Sequence, residues 1–186
     1  MILIAGLGNP GKDYENTRHN IGFVVADRLL DDLAVQVTYY KFNAEVFESD
    51  YSGKKLLIVR PLLYMNNSGA SLKHFITQYS LEIDRILVIH DDIDIDFGKI
   101  RLKTGGGTGG HNGLESLVKH MGNADFDRLR FGVGRPPKKI DPAVYVLSRF
   151  KRVELKNLFF IVDKAVTSIK DYIEFGIDYA MNKYNN

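Results

Sequence analysis

The run Arg85-Ile-Leu-Val-Ile-His90 most constrains the fold, because four consecutive large apolar residues end in a carboxylate-rich loop, as a central strand does. Residues 1–6 form a second apolar run that closes on glycine and reads as another buried strand. Segments 35–40, 44–51 and 55–60 read as strands, the last two joined at Ser52-Gly53 as a hairpin. Segments 99–102 and 128–134 complete the set, the latter alternating Arg or Gly with Leu, Phe and Val as a half-buried strand would. Helical spacing runs through 21–33, 68–79, 114–121 and 153–175, with Asn20 or Thr17 as the cap of the first helix and Asn66, Asn67 or Ser68 as the cap of the second. No linker or repeat divides the chain. The prediction is a single α/β domain over residues 1–186: three layers, α/β/α, around a twisted, mixed but mostly parallel central sheet.

A chain of 186 residues buries roughly 70% of its unfolded surface and needs no staples to hold a core. It has no cysteine, which excludes disulfides, thiolate metal sites and a cysteine nucleophile. No apolar run approaches the roughly 18 residues of a membrane span, and residues 1–5 lack the features of a signal peptide, so a cytoplasmic protein is expected. The net charge is only +2, but six carboxylates fall between Glu82 and Asp96 and eight Lys or Arg between Phe126 and Arg152. That distribution predicts a polarised molecule.

Several motifs point to chemistries that their context excludes. Gly6-Leu-Gly-Asn-Pro-Gly11 has dinucleotide-binding spacing, but a polar stretch, 12–20, stands where the phosphate-binding helix should start, which disfavours a nicotinamide-dependent oxidoreductase. Six of the 17 glycines lie between Gly105 and Gly113, yet His111-Asn112 follows where a nucleotide-binding loop needs Lys and then Ser or Thr. Asp92-x-Asp94-x-Asp96 lacks the glycine and the glutamate of a calcium loop, and the five histidines form no metal-hydrolase pattern. No metal and no cofactor are expected.

What remains is three polar clusters after apolar segments: Asn9, Tyr14, Arg18, His19 and Asn20; then Tyr64-Met65-Asn66; then Asp91 with His111-Asn112. Open α/β sheets gather such loops at the carboxyl ends of their strands. A carboxylate at Asp91 can orient an imidazole and favour its protonated form, and His19, in a polar loop before a helix, is the best candidate for that imidazole. Asn9, Asn66 and Asn112 offer paired donors and acceptors suited to a peptide-like substrate, with helix capping or a local turn as the alternative for each. Without a thiol or a Ser-His-Asp elbow, the chemistry that fits is general-base activation of water on an activated carbonyl.

At these residues the sequence closely resembles the bacterial peptidyl-tRNA hydrolase family. The resemblance is carried by six ordered blocks: 6–11, Thr17-Arg-His-Asn-Ile-Gly22, Tyr64-Met-Asn-Asn-Ser-Gly69, His90-Asp91 through Lys99, 105–113, and Arg128-Leu-Arg-Phe-Gly-Val-Gly134. It implies hydrolysis of the ester joining a peptide to the tRNA 3′ ribose, with peptidyl-tRNA as partner, no cofactor, no membrane and a monomeric state. It further implies that His19 is the base, Asp91 its carboxylate partner, and Asn9 the group that distinguishes a blocked amine from a free one. Asn66 and Asn112 match positions near the scissile bond. Tyr14 and Tyr64 match positions at the tRNA 3′ end and peptide site, Met65 and His111 would complete the cleft wall, and Lys103, Arg130 and Arg135 would hold phosphates. Leu63, Asp92 and Asp96 depart from the common pattern, which bears on the loop beside Asp91. A family-like RNA-binding protein with lost or secondary hydrolase activity is the alternative, and His19, Asp91 and the three Asn argue against it.

Overall fold

A computed structural model describes residues 1–80 and 85–185; Glu82 and Asp84 of the acidic segment lie outside them. In chain order the elements are β1 (Ile2–Gly6), α1 (Ile21–Asp31), β2 (Val35–Lys41), β3 (Ala44–Tyr51), β4 (Lys54–Pro61), α2 (Ser68–Gln78), β5 (Arg85–Asp92), β6 (Ile100–Thr104), α3 (Asn112–Met121), β7 (Asp127–Gly132), α4 (Pro142–Val146), α5 (Arg152–Phe175) and α6 (Ile177–Tyr184). Short 3-10 turns occupy Lys12–Tyr14, Arg18–Asn20 and Met65–Asn67.

The strands form one sheet in the order β2-β3-β4-β1-β5-β7-β6. The middle four run parallel, while β2, β3 and β4 form an antiparallel meander at one side and β6 pairs antiparallel with β7 at the other. Alternation along the strands divides the interior in two. Ile2, Ile4, Leu87 and Ile89 face α1, α5 and α6, whereas Leu3, Ala5, Leu57 and Val88 face α2 and α3. The three-layer expectation therefore holds. No helix among the described residues is long and apolar enough to cross a membrane.

The strand expected to be half-buried is instead enclosed. β7 lies between β5 and β6, and Arg128 is almost wholly covered by the backbone at Gly106 and Gly107 and by the Phe126 ring. The expected caps also differ. Asn20 and Asn67 precede α1 and α2, but neither side chain caps its helix; the Asn20 amide is bonded to Asn9 instead. Two helices add to the expected set, α4 and α6. The first is announced by Asp141-Pro142, in which Asp141 Oδ1 accepts from Ala143 N at 2.7 Å and proline fills the first helical position.

Because the middle strands are parallel, the loops after β1, β4 and β5 emerge at one end of the sheet. Gly22 brings the first turn of α1 down onto that end. A Cβ there would lie 2.4 Å from Leu7 O and 2.5 Å from Ile89 O, so only glycine permits the approach that seats the 18–20 turn against β5.

Candidate active site

His19 sits on the 3-10 turn Arg18–Asn20, and its Nδ1–H donates to Asp91 Oδ1 at 2.8 Å. Both side chains are buried. That bond places the proton on Nδ1 and leaves Nε2 of His19 as the basic nitrogen. A second histidine meets the same oxygen, since His111 Nε2–H donates to Asp91 Oδ1 at 2.9 Å. The other nitrogen of His111 accepts the Gly113 and Leu114 N–H groups at 3.1 and 3.3 Å, capping α3. Burial raises the Asp91 carboxyl, but the two imidazoles outweigh it and hold the group below the usual carboxylate range. Asp91 therefore meets the two imidazoles as a carboxylate near neutral pH.

His19, Asp91 and His111 each present one ligand-type atom within 4.8 Å of the others. Nδ1 of His19 and Nε2 of His111 carry protons bonded to a single carboxylate oxygen, which makes the cluster a closed hydrogen-bonded triad.

Asn9 follows β1 and is buried beside this triad, and its Oδ1 accepts the Met65 N–H at 2.7 Å. The bond ties the loop after β1 to the loop after β4. It also leaves the Asn9 amide N–H group to face outward as a donor. Met65 itself is buried with Leu7 and Leu114, so its side chain belongs to the core beneath the loops. Asn66 is exposed on the same 3-10 turn and caps nothing, and Asn112 is exposed at the first position of α3. Tyr14 and Tyr64 meet edge to face with ring centroids 6.1 Å apart, and Tyr64 is largely exposed.

A cavity of about 480 Å³ opens beside the triad. Of the residues expected at the site, His19, Asp91, Lys103, His111, Asn112 and Arg130 line it. Asn9, Tyr14, Tyr64, Met65 and Asn66 form a separate group on the loops after β1 and β4, joined to the turn of His19 by Asn20. Arg135 lies outside the cavity wall, exposed and paired with Asp94 at 2.6 Å. Arg130 is paired with Asp92 at 2.8 Å. The expected separation of charge is thus corrected: β5 and β7 are neighbours, so the acidic loop and the basic strand neutralise one another in part. Two of the unusual residues have evident roles, Asp92 in holding Arg130 and Asp96 in pairing with Lys99 at 2.8 Å.

Three features of the site escaped the sequence reading, and Arg18 was named there only as a member of a polar cluster. Arg128 donates to Gly106 O and Gly107 O, both at 2.7 Å, and stacks over Phe126 with 4.7 Å from guanidinium carbon to ring centroid. No carboxylate pairs with it among the described residues, and burial lowers its pKa. The alternation Arg128-Leu129-Arg130, in register with Lys103 on β6, could have revealed the shared face. His90 is buried, donates Nδ1–H to Asp91 O at 2.7 Å, and leaves Nε2 without a partner; burial foremost pushes its imidazole down to about 3. Arg18 is buried beneath α4, stacked on Tyr145 and Phe150 and bonded to Ser148, Arg149 O and Glu154. It fixes the turn that carries His19 to the segment that contributes Asp141, Pro142, Ala143 and Val146 to the cavity wall, a segment the sequence reading left out.

The chain matches the peptidyl-tRNA hydrolase family over residues 3–186. It is 44% identical to the peptidyl-tRNA hydrolase of Bacillus subtilis over 185 residues, covering 100% of this chain and 98% of that one. It is 41% identical to the peptidyl-tRNA hydrolase of Aquifex aeolicus over 183 residues, covering 98% and 95%. The crystal structure of peptidyl-tRNA hydrolase from Acinetobacter baumannii superposes with a TM-score of 0.90 at 37% identity, covering 99% of this chain and 95% of that chain.

Proposed function

The chain belongs to the peptidyl-tRNA hydrolase family, and from that premise we propose that His19 is the base through which it cleaves the ester between peptide and tRNA. Nε2 of His19 removes a proton from water as the water oxygen attacks the ester carbonyl carbon. The bond from that carbon to the 3′ oxygen of the ribose then breaks, and the imidazolium returns its proton to the departing oxygen. A free peptide acid and a tRNA hydroxyl result. Asp91 stabilises the transient imidazolium through the Nδ1–H bond and holds the ring in the tautomer that exposes Nε2.

Asn9 supplies the discrimination. Its carbonyl is engaged by Met65 N–H, so the remaining amide N–H meets the carbonyl oxygen of a blocked, peptide-bearing amine, which a free aminoacyl group lacks. Asn66 and Asn112 contact the substrate near the scissile ester. Tyr14 and Tyr64 offer aromatic faces to the terminal nucleotide or the acyl chain. Lys103 contacts phosphate directly, whereas Arg130 and Arg135 must exchange Asp92 and Asp94 for it. The protein works as a cytoplasmic monomer.

The observation that carries this reading is the 2.8 Å bond between His19 and a buried, ionised Asp91 at the mouth of a cavity. The test follows release of labelled N-acetyl-aminoacyl groups from tRNA. His19→Ala is expected to lose roughly 10²–10⁴-fold in turnover while tRNA affinity is kept. Unchanged turnover in that variant would sink the general-base assignment, and a wild type that binds tRNA without turnover would favour an RNA-binding role.

A further inference from the structure

The sharing of one carboxylate oxygen by two histidines is not required by general-base hydrolysis, which needs only His19 and Asp91. His111 is held in one tautomer by its surroundings. Its Nδ1 accepts two N–H groups at the amino end of α3, where the helix dipole is positive, so the ring proton must sit on Nε2 and point at Asp91.

We propose that His111 is a positioning residue that sets the pH at which His19 becomes competent: by donating to the same Asp91 oxygen, it divides the carboxylate's accepting capacity and restrains the imidazolium form of His19. The inference rests on His19 being the base. A carboxylate oxygen with one donor stabilises an imidazolium more than an oxygen that already serves a second donor. With His111 in place, less of the carboxylate's accepting capacity is left to the His19 Nδ1–H. Without that donor, Asp91 serves His19 alone and the unproductive imidazolium persists to higher pH.

Other ionisable groups face the same space. His90, Asp92 and Asp94 come from β5 and its following loop, Lys103 from β6, Arg128 and Arg130 from β7, and Asp141 from the start of α4. Arg18, on the turn of His19 itself, is engaged by Glu154 of α5 at 2.6 Å. All are retained in the variants that test the proposal. His90 stays neutral throughout the range concerned.

Two substitutions separate the roles of His111. Asn at 111 reaches only as far as Nδ1 and can cap α3, but it gives Asp91 no donor. Gln reaches as far as Nε2 and can donate to Asp91, but it does not cap. The experiment measures kcat/KM for N-acetyl-aminoacyl-tRNA from pH 5.5 to 9 in the full-length protein. His111→Asn is expected to move the acid limb upward by about half a unit or more, lowering the ratio of rates at pH 6 and pH 8.5 at least about threefold. His111→Gln is expected to keep the wild-type limb and to lose thermal stability through the missing cap. An acid limb of His111→Asn that overlays the wild type or moves downward overturns the proposal, as does an equal shift in both variants. Should either variant fail to fold, imidazole nitrogen NMR of the wild type at pH 8 decides: a His111 ring protonated on Nδ1 overturns the proposal, and one protonated on Nε2 supports it. Failure of the underlying reading looks different, because a wild-type acid limb would then survive in His19→Ala.

Discussion

Asn20 grips Asn9 from both sides, its Oδ1 accepting the Asn9 N–H at 2.8 Å and its Nδ2–H donating to the Asn9 carbonyl at 2.9 Å. The pair fixes the loop after β1 next to the turn that carries His19, and the Asn9 side chain extends the connection to Met65. Asn20→Ala orphans two buried backbone groups and is expected to cost about 1–3 kcal/mol of stability. It should also blunt the preference for N-acetylated over free aminoacyl-tRNA. Denaturant unfolding and the ratio of rates on the two substrates measure both effects, and a preserved ratio would separate Asn9 from discrimination.

Asp91→Asn keeps the shape of the buried partner and removes its charge. A loss of roughly 10²-fold in kcat is expected, smaller than that for His19→Ala, because an amide at 91 accepts the Nδ1–H bond but stabilises the imidazolium poorly. Retention of the full rate near neutral pH would show that another group orients His19.

Arg128 staples the glycine-rich loop through two adjacent carbonyls. Gly105, Gly106, Gly109 and Gly110 all hold positive φ, so the loop has a wide range of alternatives once released. Arg128→Met should speed amide exchange across residues 105–110 and raise KM several-fold. Arg128→Lys should rescue only in part, since an ammonium lacks the planar fork that engages both carbonyls. Unaltered exchange in Arg128→Met would contradict the staple.

His90 gives a pH dependence of stability with a defined sign. Burial holds the folded imidazole down at about 3, below its ordinary value of 6.5, so from about pH 6.5 downward the unfolded chain takes a proton that the folded one refuses. The stabilisation is fully present above about pH 6.5 and is lost progressively toward pH 3. The melting temperature should fall over that window, and His90→Gln, which has no titrating ring, should show a shallower decline. Parallel curves for the two proteins would rule out this origin.

Substrate affinity should weaken steeply with salt because phosphate contacts carry it. Lys103→Ala is expected to lower the slope of log affinity against log salt by about one. Arg130→Ala and Arg135→Ala should lower it less, since each cation is already partnered by a carboxylate. Flat binding between low and moderate salt would remove the phosphate assignment.

Much of this was legible in the chain. The strand Arg85–Asp92 and the loops ending in Asn9, Met65 and His111 follow from apolar runs and their punctuation, because local periodicity reports which residues a sheet must bury. Asp91 as the partner of His19 was readable from its place after the strongest strand. The capping of α3 by an imidazole was not, since any polar residue at 111 is compatible with that local pattern. Arg128 was hidden for a similar reason: alternation marks a face, but it does not say that the glycine-rich loop will fold over it.

The sequence by itself determined the seven strands and four of the six helices among the described residues, together with the residue types available for chemistry, all of which depend on neighbours within a few positions. Only the tertiary structure decided who partners whom. It put His19 and His111 on one oxygen of Asp91, gave Arg130 to Asp92, and turned Asn20 from a helix cap into a clamp on Asn9. Those choices join residues from 11 to 72 positions apart, and each is made by the competition of buried polar groups for a limited number of acceptors, which no local pattern records.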